Sequence, residues 1–441
     1  MIRRADRSPG IGPPEDGRIG STPDSALSSA VGFYFAFRPY IVLLSARILG
    51  MEPQIGTAIN LSFNLLFLMV VVFCCLGPVR YPFKQMAQMA SVRWTLLFLG
   101  FSCLSLLWSS TLSLTVSIAY WCGMAADFAI LVFMLRAGPV ITVADSLMKG
   151  YVWGACVGAT IAWTLPAQSD LRLGDEELLG PNSIGYLCAF ALLFAQFLMR
   201  KKKGRWGAPA LLLGLTVLRC LSKTTIAALL LSEAFLLMTD KSMKRRTKAL
   251  LSLGAILVIA AFLPLLTSYY DIYTNAGNQS ETLSGRLGIW AYFGLEAFQQ
   301  PWIGHGFDSV WKVVPPFPPD QFEAPHAHNE LLQQFYAYGV VGVYLFAGIY
   351  GSLYRQIRRL ATGPTRTFLF AFLIFVLVRG IADTERFDLS LPLWAVLMVS
   401  AIVVHGQQEC DQQIVIAGVE PSRGVVSPGF RSRINWQGQT E

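Results

Sequence analysis

The chain has 441 residues, 54% of them hydrophobic and only 14% charged, against roughly 25% charged in an ordinary soluble domain, and this excludes a water-soluble globular protein. The formal net charge of +8 comes from short basic clusters between long apolar runs. That pattern sets membrane orientation and argues against nucleic acid as a partner.

Residues 1–29 are rich in Arg, Pro, Gly and Ser and lack the apolar core of a signal peptide, so they are expected to form a disordered cytoplasmic arm. Apolar runs follow near 30–50, 55–77, 92–109, 112–135, 144–166, 182–199, 206–221, 224–239, 248–266, 331–353, 365–381 and 389–405. Each approaches the ~20 residues that cross a hydrocarbon layer of ~30 Å. The expected fold is an all-α polytopic membrane protein of about twelve transmembrane helices. Nine lie within 30–266 and three within 331–405, with a polar cytoplasmic tail over 406–441. Basic residues recur at every second connection: Arg80, Lys84 and Arg93, then Arg136 and Lys149, then Arg200 to Arg205, Lys241 to Lys248, and Arg355 to Arg366. This alternation puts both termini in the cytoplasm and the protein in an inner membrane. The eight cysteines sit mostly inside apolar runs, without a C-x-x-C pair, and read as small core residues.

The longest polar connection, 267–330, then falls on the outer, periplasmic side, and a connection of that length is expected to carry function. Ser284 is placed to cap a short helix over 285–300, whose Trp290, Tyr292, Phe293 and Phe298 suit a segment lying on the membrane surface. Pro301 ends it. A strip containing Pro315, Pro316, Pro318 and Pro319 leads to the run Pro325-His326-Ala327-His328-Asn329-Glu330 at the mouth of the next span.

His305, His326 and His328 are three of the four histidines in the chain, and an imidazole with a pKa of about 6.5 accepts a proton near neutral pH. His305 and His326 read equally as solvated loop residues. His328, one residue before Asn329 where a helix opens, is the candidate base; His405 reads as structural. Asp308, Glu323 and Glu330 are acidic assistants or substitutes for it. A metal held by His326 and His328 would need further ligands, for which no spacing appears, so no metal is expected. Arg286 opens the loop helix, where a guanidinium and free backbone N–H groups make an anion site, the bland alternative being a lipid-headgroup contact. Lys223 lies at the outer mouth between two apolar spans, where a cation is expensive unless paired, facing a polar cavity or snorkelling to the interface. Two cations beside an imidazole suit a donor with a phosphate leaving group and an acceptor hydroxyl.

Several short motifs, in order, carry a resemblance. They are Gly180-Pro181-Asn182-Ser183-Ile184-Gly185, Ser222-Lys223-Thr224, Gly285-Arg286-Leu287-Gly288-Ile289-Trp290, Pro301-Trp302-Ile303-Gly304-His305-Gly306-Phe307, and His328-Asn329-Glu330-Leu331-Leu332-Gln333 running into Tyr338-Gly339-Val340-Val341-Gly342. Over residues 180–350 the chain resembles the O-antigen ligase and polymerase superfamily of bacterial inner membranes. The resemblance implies a glycosyltransferase that moves a glycan from an undecaprenyl-diphosphate carrier to a sugar hydroxyl by inverting displacement, without cofactor or metal. His328 matches the family's loop histidine, taken as base, and Arg286 a loop arginine that grips the diphosphate. Where ligases commonly show arginine at the helix mouth, Lys223 stands here; it keeps the charge and loses the planar fork. The Ser222-Lys223-Thr224 turn looks more like exopolysaccharide polymerases than lipid A-core ligases. Asn182, Trp290, His326, Asn329 and Gln333 are expected to contact substrate. The implied partners are the lipid-linked oligosaccharide, a glycan or glycolipid acceptor, the bilayer and a chain-length regulator. A twelve-span transporter or glycan flippase is the rival class. It predicts two similar halves and polar broken spans, whereas the sequence shows no convincing repeat and concentrates its polarity in one loop. A non-catalytic scaffold is the third reading.

Overall fold

The computed structural model describes residues 23–416, except 77–78, 80, 167, 169–170, 176, 202–203, 241–243, 276–285 and 310–325. Among the described residues it is helical, with no strand beyond an isolated bridge between Asp175 and Leu179. The helices in chain order are α1 (Pro23–Arg47), α2 (Pro53–Cys74), α3 (Phe83–Gln88), α4 (Ala90–Ser105), α5 (Leu114–Ala137), α6 (Val140–Thr164) and α7 (Pro181–Arg200), followed by α8 (Gly207–Arg219), α9 (Lys223–Thr239), α10 (Arg245–Asn275), α11 (Arg286–Ala297), α12 (Glu330–Arg358), α13 (Pro364–Ala382) and α14 (Leu393–Ile416). Each of the twelve apolar runs falls on one of these helices, and α3 and α11 are short additions. Seven helices, α1, α2, α5, α7, α10, α12 and α13, are long and apolar enough to cross a membrane; α4, α8 and the apolar part of α14 are shorter. The chain is an all-α polytopic membrane protein. Helix α1 begins at Pro23, inside the stretch expected as an arm, and α14 runs on to Ile416, into the expected tail. The loop helix is narrower than the 285–300 expected. The proline strip, Ser284 and Glu323 lie outside the described residues.

The chain divides into two compact units. One comprises residues up to Tyr81 together with Val132–Ser222; the other comprises Pro82–Leu131 together with Lys223 onward. In the first, α1 and α6 touch backbone to backbone. A Cβ on Gly150 would lie 1.8 Å from the Ser29 carbonyl oxygen, and one on Gly32 would lie 2.0 Å from that of Leu147. Small residues are what permit such an approach in lipid, where packing replaces the hydrophobic driving force. Rings of α7 then pack on α6, with Tyr151 5.5 Å from Phe190 and 5.4 Å from Phe194.

In the second unit α12 is the hub. Helix α4 lays Trp94 and Phe98 edge-on against Tyr344 and Tyr338 of α12, at 5.1 and 5.5 Å. Helix α9 is tied to α13 by the Ser232 hydroxyl, which donates to the Ala371 carbonyl at 2.8 Å. Helix α12 is broken at Gly339, whose φ of 61° and ψ of −155° only glycine adopts freely. A break inside an apolar interior frees backbone groups that must find partners. The segment Pro301–Gly306 supplies them. Tyr336 and Ala337 carbonyls accept from His305 and Gly306 N–H at 3.0 and 2.8 Å, while Val340 and Val341 N–H donate to the Pro301 and Trp302 carbonyls at 2.8 and 3.3 Å.

Candidate active site

Helix α11 does not lie free on a surface as its aromatic content suggested. Ile289, Phe293 and Ala297 form one buried stripe packed on Ala327 and Tyr336, with Phe293 5.1 Å from the Tyr336 ring. Phe298, by contrast, is 72% exposed. This packing carries Arg286, the first residue of α11, to the start of α12 and sets Trp290 one turn away on the same face. Arg286 Nη1 donates to the Thr224 hydroxyl at 3.1 Å. Lys223, exposed, is the neighbouring residue and the first of α9.

The two histidines flanking Ala327 come together, with ring centroids 4.1 Å apart. The His328 N–H donates to His326 Nδ1 at 3.3 Å, and His328 adopts a left-handed φ of 51°. Burial, then the adjacent His328, pushes the His326 imidazole down to about 3 against the opposing pull of Asp383; Arg379 and Arg286 add to the shift. His326 is therefore neutral at physiological pH, and the charge of Arg286 is close enough to be felt there.

His328 Nδ1 lies 3.4 Å from Asp383 Oδ1. Asp383 follows α13, is buried, and has its other oxygen 3.4 Å from Arg379 Nη2; Arg379, 2% exposed, also reaches Glu385 at 2.9 Å. Burial works to raise the Asp383 carboxyl, but the Arg379 charge, then the His328 hydrogen bond and the other histidine outweigh it and hold it well below the usual carboxylate range. A carboxylate on Nδ1 fixes the tautomer and turns Nε2 outward as the basic nitrogen.

The remaining expected residues divide. Asn329 caps α12 by accepting from Leu332 N–H at 2.9 Å and donates to the Ile381 carbonyl at 2.8 Å. Gln333 Oε1 accepts from Ala327 N–H at 2.8 Å. Both side chains are thus engaged with the scaffold. Trp290 is half-buried, and its indole N–H has no hydrogen-bond partner among the described residues. Asn182 lies on the first turn of α7, in the first unit. His305 is buried, 3.0 Å through Nε2 from the Glu296 carbonyl and stacked 4.4 Å from the Tyr336 ring, which makes it part of the packing. Glu330 is buried as well, accepting from the Tyr350 hydroxyl at 3.1 Å and from Ser390 N–H at 2.7 Å. Asp308 accepts from Ser117 Oγ at 2.8 Å and pairs with Arg386 at 3.6 Å.

Sequence reasoning passed over Arg379 and Asp383. A signal existed: Arg379 is a lone arginine at the end of an apolar run, and intramembrane charge marks function or a buried pair. Asp383 also completes a trio that the sequence did not suggest, since donor atoms of His326, His328 and Asp383 lie within 4.8 Å of one another. A metal would have to displace the N–H on His326 Nδ1 and share Asp383 with the Arg379 guanidinium; three protein ligands are fewer than a structural zinc takes and as many as a catalytic one takes.

Comparison with known proteins agrees with the motif order. A family profile described as O-Antigen ligase matches residues 208–347, which include Lys223, Arg286, His326 and His328. The exopolysaccharide production protein ExoQ of Rhizobium meliloti strain 1021 is 24% identical over 377 residues, 78% of this chain and 83% of that protein. An O-antigen ligase of Pseudomonas aeruginosa PAO1 is 25% identical over 260 residues, 58% of each. These matches support its place in the O-antigen ligase and polymerase superfamily. By its seven long apolar helices the chain is a multi-pass membrane protein, and it is similar to proteins named for exopolysaccharide production and O-antigen ligation. Lys223, Thr224, the α11 start and the His328-Asn329 corner all lie in the second unit of the fold, while Ser222 ends the first.

Proposed function

We propose that the protein is a periplasm-facing, inner-membrane glycosyltransferase that joins lipid-diphosphate-linked oligosaccharide repeats, acting as a polymerase in exopolysaccharide or O-antigen assembly. The observation that carries the reading is His328 backed by a buried carboxylate, beside a second histidine that feels the charge of Arg286. In the reaction, the acceptor hydroxyl oxygen attacks the anomeric carbon from the face opposite the diphosphate. The carbon–oxygen bond to the undecaprenyl diphosphate breaks as the new glycosidic bond forms, with inversion. The hydroxyl proton passes to His328 Nε2, whose charged form faces Asp383. Arg286 and Lys223 neutralise the departing diphosphate, so no metal is needed, and Trp290 offers an aromatic face to the bound substrate. His326, Asn329 and Gln333 then shape the site, and a chain-length regulator would act on the growing product.

The chain is similar both to an exopolysaccharide production protein and to an O-antigen ligase, and the test separates the two activities. In a deletion strain complemented with His328→Ala or Arg286→Ala, a polymerase leaves single lipid-linked repeats and no polymer. A ligase leaves long lipid-linked chains without capped glycolipid. Wild-type amounts of product from both inserted variants would overturn the assignment.

A further inference from the structure

The turn after α13 is fastened at two points. At its start Asp383 meets His328, and Arg379 bridges Asp383 to Glu385. Three residues on, Arg386 reaches Asp308, Nη2 to Oδ1 at 3.6 Å, and its guanidinium lies over the rings of Phe387 at 4.7 Å and Tyr120 at 5.7 Å. Those two rings stack at 4.1 Å, joining the turn to α5. Asp308 itself is held hard. Its side chain is only 7% exposed and its φ is 59°, a left-handed conformation uncommon away from glycine. Its carboxylate takes the Ser117 hydroxyl, and the adjacent Phe307 N–H donates to Ser105 Oγ at 3.0 Å. Burial raises the Asp308 carboxyl, and Ser117 and Arg386 offset that.

We propose that Asp308 is a positioning residue for the reaction: through Arg386 it holds the 383–388 turn so that Asp383 stays against His328. The residues from Asp383 to Arg386, Asp-Thr-Glu-Arg, contain no glycine. Three extended residues span at most about 11 Å, so the two fastenings of the turn are tied by a short tether. The proposal rests on the reading of His328 as the base and Asp383 as its partner.

The test is a double-mutant cycle on polymerisation kinetics in membrane vesicles supplied with lipid-linked repeats, run on Asp308→Asn, Asp383→Asn, the double variant and Asp308→Glu. Asp308→Asn lowers kcat by about 10-fold with KM changed less than about 2-fold, and Asp308→Glu recovers most of it. In the Asp383→Asn background the same change costs less than about 2-fold, because two residues acting through one contact are not additive. Should Asp308→Asn fail to insert, Arg386→Gln enters the same cycle with the same expectation. A full additional loss in the double variant, or a kcat equal to wild type in the single one, overturns the proposal. Wild-type rates from His328→Ala would instead sink the functional reading beneath it.

Discussion

Replacing Asp383 by asparagine keeps the shape of the side chain and removes its charge. With Asp383 Oδ1 3.4 Å from His328 Nδ1, the attraction between an imidazolium and that carboxylate is about 5 kcal/mol at an effective dielectric of about 20. Solvent and protein relaxation reduce this to the net worth of a hydrogen bond to a charged group, about 2–3 kcal/mol, which appears only when His328 takes the proton. At 1.36 kcal/mol per decade this is a fall in kcat of about 100-fold, within the range general-base catalysis supplies. KM changes little, since the bound acceptor is neutral. The protein still folds, with Arg379 keeping Glu385 at 2.9 Å, and a melting curve in detergent checks that. Single-turnover polymerisation at several pH values gives the measurement. A kcat within about 3-fold of wild type, or a loss confined to KM, would refute the orienting role.

Acidification tests His326. With its folded pKa lowered to about 3 against about 6.5 in an opened chain, stability is intact above pH ~6.5. It is then lost by up to about 1.4 kcal/mol per unit as pH falls toward 3, because only the opened chain takes up the proton; His326→Gln flattens that slope in melts. Gly339→Ala, whose Cβ would meet the Trp302 carbonyl carbon at 2.4 Å at φ 61°, sharply reduces the folded fraction. Gly351→Ala, in the same helix with nothing within 4 Å, leaves it unchanged or raised by about 0.5–1 kcal/mol. Glu330→Ala removes the buried acceptor of the Tyr350 hydroxyl and the Ser390 N–H and costs about 1–3 kcal/mol, while Glu330→Gln, which keeps an acceptor, costs less in the same melt.

The helices were legible because lipid leaves the backbone one economical solution, and apolar length alone reports it: every one of the twelve runs is helical. The break at Gly339 was not legible. A single glycine in an apolar run is a weak signal, and the reason for it, the carbonyls satisfied by His305 and Gly306 from more than thirty residues upstream, is a tertiary fact. The same holds for His305, whose imidazole was grouped with the other histidines by sequence proximity and is instead packed on Tyr336.

The site divides along a physical line. Residues that present charge or a basic nitrogen, Lys223, Arg286 and His328, could be named from chemistry and motif order. Residues that aim them could not, since aiming is done by partners distant in the chain: Asp383 is 55 positions from His328, and Thr224 is 62 from Arg286. Asn329 shows how the two kinds are confused. An asparagine directly before Glu330-Leu331-Leu332 is a helix N-cap by sequence alone, and its amide is spent on Leu332 and Ile381, yet beside two histidines it reads as a ligand contact. Its cap and its tie to α13 fasten the residue next to His328, whose backbone takes a left-handed turn beside Asp383. In the proposed reaction Asn329 therefore serves the site through the scaffold, while the charge and the basic nitrogen come from Arg286, Lys223 and His328.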